Sequence, residues 1–105
     1  MAIVITTTSD NHAELVQIAK QLVDQQLAAC CQIIGPITSF YRWQSKIEEC
    51  SEWMCCIKTT PELYHAVEIA IRQQHHSEEP EIIATEIVQG SAGYLGWIAA
   101  NTLSQ

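Results

Sequence analysis

The stretch Thr38-Ser39-Phe40-Tyr41-Arg42-Trp43-Gln44-Ser45-Lys46-Ile47-Glu48-Glu49 constrains this chain most. Two β-prone runs, Cys30 to Trp43 and Lys46 to Thr59, meet at Gln44-Ser45 and predict one long hairpin. Both runs exceed the roughly five or six residues of an ordinary strand. Of the seven aromatic residues, four (Phe40, Tyr41, Trp43 and Trp53) lie in or just beyond this hairpin. Large rings placed there predict that another subunit or a ligand packs against it. Gly35-Pro36 predicts a break or bulge in the first strand. A regular two-residue turn sets Trp43 beside Lys46, Ile33 near Cys56, and Cys30 and Cys31 opposite Thr59 and Lys58, unless the bulge shifts the register.

The flanking segments supply the other elements. Ala2 to Thr8 is β-branched and apolar, as in a strand buried on both faces. Ser9, Asp10 and Asn11 offer N-caps to an amphipathic helix ending near Leu27. Leu15, Ile18, Ala19, Leu22 and Val23 form its apolar stripe. Pro61 suits the first position of a second helix behind Thr60, with Leu63, Val67, Ala70 and Ile71 facing inward. A polar loop from Gln73 to Glu81 leads into a fourth strand, Ile82 to Gln89. A turn at Gly90 to Gly93 precedes a short helix, Tyr94 to Leu103. The order is β-α-β-β-α-β plus a terminal helix, an α+β chain expected to fold as a ferredoxin-like sandwich. Two helices cover one face of such a sheet. Apolar residues on both faces of the hairpin predict that another copy of the chain covers the other.

At 105 residues this reads as a single domain. Its net charge of −7, from 12 acidic against 5 basic residues, argues against nucleic-acid binding. No apolar run has the roughly 20 residues of a membrane span, and the N-terminus reads as a strand rather than a leader. Five cysteines in no C-x-x-C spacing (Cys30, Cys31, Cys50, Cys55 and Cys56) fit reduced, mostly buried thiols of a cytoplasmic protein. Cys55 and Cys56 read as structural. Cys50, among acids, reads as exposed and a poor nucleophile. No nucleophile triad, H-E-x-x-H, P-loop or dinucleotide fingerprint is present, so no catalytic residues are assigned.

Four segments together carry a family resemblance: Leu27-Ala28-Ala29-Cys30, the hairpin motif from Thr38 to Glu49, Ile57-Lys58-Thr59, and His75-His76-Ser77-Glu78-Glu79-Pro80-Glu81-Ile82 with Tyr94-Leu95-Gly96-Trp97 beyond it. In this order the chain resembles the CutA divalent-cation tolerance proteins over nearly its whole length. The resemblance implies a ferredoxin-like homotrimer, similar in build to PII signalling proteins, whose hairpins join intersubunit sheets. It also implies a link to copper and other divalent cations, with no established enzymatic activity. Ser45 stands where family members commonly have Gly. His76-Ser77 stands where they have Pro-Tyr, and Thr6-Thr7-Thr8 where some carry a Cys.

His75 and His76 are the foremost ligand candidates, since imidazole suits Cu(II), Zn(II) and Ni(II), and Cu(II) binds most tightly of these. His75 is expected to lead, helped by His76 or Cys30, whose thiolate favours soft ions. Glu78, Glu79 and Glu81 are nearby oxygen donors. Adjacent histidines in an extended segment point apart, so the expected site draws on two subunits. Tyr41, Trp43, Lys46 and Glu49, with Glu81, are expected at an intersubunit pocket or interface, interface packing being favoured. The leading expectation is a cytoplasmic homotrimer that binds a divalent cation, copper foremost, in cation tolerance. The rivals are a PII-like module binding a small molecule in intersubunit clefts and a structural trimer anchoring another protein.

Overall fold

β1 (Ala2–Ser9) is the strand around which the rest is built, and a computed structural model describes residues 1–103. Ile3 and Ile5 point to one face and are buried there with Leu15, Ile18 and Leu22 of α1 (His12–Asp24). Val67, Ala70 and Ile71 of α2 (Tyr64–Gln74) complete that layer. Each such Leu or Ile, fully removed from water, contributes roughly 1.5–3 kcal/mol. Val23, expected in the stripe, is instead exposed on the flank of α1.

The sheet runs β2-β3-β1-β4, with β2 at Cys30–Trp43, β3 at Lys46–Thr59 and β4 at Ile82–Ile87. All neighbours are antiparallel. With two helices on one face, this is the ferredoxin-like arrangement expected from the element order. Pro61 opens a short 3-10 turn, Pro61–Leu63, rather than the helix itself. α3 (Ala92–Ala100) begins two residues before Tyr94, where the Ser91 hydroxyl caps the Tyr94 N–H. Ile98 and Leu95 of α3 pack on Ala2, Ala29 and Ile87, covering one end of the sheet.

Gln44 and Ser45 turn the hairpin with φ of 50° and 66°, a left-handed pair of the kind a tight hairpin loop needs. Trp43 therefore pairs with Lys46, and the regular register holds back to Ile37 opposite Glu52. Between Ile34 and Ile37 it slips by one residue, at Gly35-Pro36. Ile33 then faces Cys55 rather than Cys56, and Cys30 and Cys31 face Lys58 and Ile57 rather than Thr59 and Lys58. Gly35 lies against Trp53, where an added Cβ would approach the ring to 2.5 Å. The chain measures 44 × 26 × 21 Å, drawn out by this hairpin.

Candidate metal centre

The end of β1, the start of α1 and the segment after α2 converge on one cluster. Asn11 caps α1 by accepting the Glu14 N–H at 3.0 Å, which places Glu14 in the first turn, facing β1. Ser9, buried at the strand end, donates to Glu14 Oε2 at 2.8 Å. α2 ends at His75, whose backbone turns extended while its N–H still bonds to Ile71. That break brings both histidines over β1.

His75 is held by the backbone. Its side chain is 2% exposed, and Nε2 lies 2.7 Å from the Thr8 carbonyl oxygen. A carbonyl only accepts, so Nε2 carries the proton and Nδ1 holds the lone pair. Nδ1 accepts the Ser77 N–H at 3.1 Å and lies 3.7 Å from Glu14 Oε2. His76 stacks on His75 with ring centroids 5.2 Å apart. Its Nδ1 meets both Glu14 oxygens at 3.0 and 2.9 Å, and its Nε2 lies 3.2 Å from Asp10.

These contacts set the charge states. The Glu14 hydrogen bond raises the His76 pKa above its ordinary value, desolvation opposes this, and the Glu14 and Asp10 charges add to the rise. Burial, the largest single effect, pushes the Glu14 carboxyl up, but the hydrogen bonds from Ser9 and His76 together with the charges of the two histidines outweigh it and hold the carboxyl below its usual range. The cluster is a clasp in which His76 bridges the Glu14 and Asp10 carboxylates, contacts that favour its protonated form.

Glu14, His75 and His76 each offer one ligand atom, and these atoms all lie within 4.8 Å of one another. Two imidazoles and a carboxylate suit the borderline divalent ions of the later first transition row. The Thr8 carbonyl fixes the His75 tautomer, as outer partners of metal-bound histidines generally do. His76 must release its Nδ1 proton, and His75 Nδ1 its bond from the Ser77 N–H, before those nitrogens can ligate.

The structure brings some of the expected residues together and leaves others apart. The two histidines do not point apart. The backbone is extended at His75 but bends from His76 onward, which stacks the two rings, so one chain gathers three donors. Glu14 was missed because it lies 62 positions from His76 and reads as an ordinary first-turn acid. Cys30 stands apart within the chain. It is level with Val4 through Lys58, whereas His75 binds at Thr8. Four strand residues separate those levels, roughly 13 Å.

An open groove of about 860 Å³ runs from the cluster along the hairpin. Tyr41, Trp43 and Glu81 line it, together with Glu78 and Glu79. Lys46 pairs with Trp43 at the hairpin tip, beyond the lining. Glu49 pairs with Phe40, and strand alternation puts it on the face opposite Tyr41 and Trp43. Glu48, which pairs with Tyr41, takes the position expected of Glu49. Cys50 also lines the groove. Burial first, then the Glu52 and Asp10 carboxylates, raise its thiol pKa, which agrees with a poor nucleophile. All five cysteines are free thiols.

Residues 3–101 match the family model described as CutA1 divalent ion tolerance protein. The divalent-cation tolerance protein CutA of Thermus thermophilus is 37% identical over 100 residues, spanning 95% of each chain. Human protein CutA is 40% identical over 97 residues, 92% of this chain but 54% of the human protein. The chain thus spans about half the length of its human relative. The solved structure of the Thermus thermophilus protein superposes with a TM-score of 0.94 at 35% identity, covering 97% of this chain and 99% of that one. CutA1 from Oryza sativa superposes at 0.95 with 31% identity, covering 99% and 95%. The chain belongs to the CutA1 divalent ion tolerance protein family.

Proposed function

We propose that this chain binds a divalent cation, copper(II) foremost, at Glu14, His75 and His76, and serves cation tolerance as a cytoplasmic homotrimer. The observation that carries the reading is the convergence of three donors from β1–α1 and the end of α2 within 4.8 Å. Copper leads because Cu(II) heads the affinity order for nitrogen and oxygen donors. The family's name for itself, divalent ion tolerance, agrees in class. The trimer is supported by apolar side chains left in water: Phe40 is 67% exposed, Trp43 55% and Ile47 72%, with Ile34 and Ile83 also open. The cytoplasmic placement is supported by five free thiols, which a reducing compartment maintains.

The test is a calorimetric Cu(II) titration at neutral pH against glycine as competitor, on wild type and His75→Ala. Sub-micromolar binding that the substitution abolishes supports the proposal. Binding no tighter than the competitor contradicts it.

The aromatic-walled groove favours a second reading, a PII-like module holding a small molecule beside Tyr41 and Trp43. Tight binding of a metabolite by a protein indifferent to copper would favour that reading.

A further inference from the structure

We infer that Ser9 is a positioning residue for the cation site, acting through Glu14; this rests on the metal-binding reading above. Ser9 is 1% exposed, and its hydroxyl is used twice. It accepts the Asn11 N–H at 3.0 Å and donates to Glu14 Oε2 at 2.8 Å. The first bond leaves the hydroxyl hydrogen aimed at the carboxylate. The other carboxylate oxygen, Oε1, accepts the His76 backbone N–H at 3.0 Å. A donor on each oxygen fixes the carboxylate plane.

A carboxylate has about four lone-pair positions. Ser9 and the His76 amide take one on each oxygen, and the remaining pair faces His76 Nδ1. The Glu14 oxygens are therefore turned toward the two imidazoles before any ion arrives. Thr8, the preceding residue, does the same for His75 through its carbonyl. The last two residues of β1 are thus a rigid outer shell, one holding the nitrogen ligand and one the oxygen ligand. Outer partners of this kind typically contribute 10- to 100-fold to metal affinity. Nothing in the sequence pattern at Ser9 announces this role, since a serine before a helix reads as a cap.

The experiment is a double-substitution cycle, with Cu(II) alone as probe and glycine as competitor. Wild type, Ser9→Ala, Glu14→Gln and the double variant are titrated, and metal-free melting of each confirms that it is folded. Ser9→Ala is expected to weaken copper binding about 10- to 100-fold when Glu14 is present. In the Glu14→Gln background, where two imidazoles still hold copper at higher ion concentration, the same change should cost less than about threefold, because coupled residues are not additive. Ser9→Thr, which keeps the hydroxyl, should recover most of the affinity. An equal loss in both backgrounds would make Ser9 merely structural and overturn the inference, as would no loss in either. Wild type binding copper no better than glycine would overturn the metal reading and this inference together. Binding by wild type that Ser9→Ala leaves untouched would overturn this inference alone.

Discussion

The Glu14 carboxylate accepts from both the backbone N–H and the ring Nδ1 of His76, each at 3.0 Å, across 62 positions of sequence. This one pair ties the start of α1 to the segment after α2. On the proposed reading, a proton and a metal ion compete for the cluster.

Held by the proton, the clasp stabilises the fold over a defined pH window. His76 has a raised pKa, so its contribution is complete below its unfolded value near 6.5 and is lost as pH rises through the folded value. Glu14 has a depressed pKa, so its contribution is complete above its unfolded value near 4.5 and is lost as pH falls through the folded value. Their joint contribution is therefore greatest between about pH 4.5 and 6.5. Metal-free melting of wild type and His76→Ala should differ most at pH 5.5 and converge toward pH 8. A gap that widens toward pH 8 would rule out the proton-bridged clasp.

Held by the ion, the cluster should behave in the opposite sense. Copper affinity should rise with pH until His76 is deprotonated, by up to about tenfold per unit for one displaced proton. Calorimetry in buffers of different ionisation enthalpy counts that proton directly. At pH 6, below the ordinary imidazole value, a count of zero would place the ion away from His76.

The hairpin turn carries a separable stability prediction. Gln44 and Ser45 both hold positive φ, which a residue with a Cβ adopts at a cost of about 1 kcal/mol. Ser45→Gly should stabilise the chain by roughly 0.5–1 kcal/mol, read by chemical denaturation. No gain would mean that neighbouring contacts already relieve the turn.

At Gly35 the added methyl of Gly35→Ala would meet Trp53 at 2.5 Å, at a φ of +156° that side chains rarely adopt. A loss of about 1–3 kcal/mol is expected, with a shifted Trp53 emission as the ring is displaced. An unshifted emission with full stability would show that the strand relaxes around the methyl.

Much of the fold was legible because each element had its own period and punctuation. The β-branched run at Ala2 to Thr8, the stripe of Leu15, Ile18 and Leu22, and the Gly35-Pro36 bulge all read directly. The register beyond the bulge did not, because one inserted residue moves Ile33 from Cys56 to Cys55 without changing any local pattern. The site was half legible. Two adjacent histidines announce possible ligands, but their orientation depends on α2 stopping at Gln74. Glu14 and Ser9 reach the site only through tertiary packing, so no spacing marks them. Cys30 does not join the cluster within the chain, because a favourable donor type says nothing of its height on the sheet.

The most direct measurement of the central claim is an anomalous difference map at the copper edge, from crystals grown with stoichiometric Cu(II). The expected result is a dominant peak within bonding distance of His75 Nδ1, His76 Nδ1 and Glu14. A map with no peak there, or with its strongest peak at Cys30 or among Glu78, Glu79 and Glu81, would contradict the proposed centre.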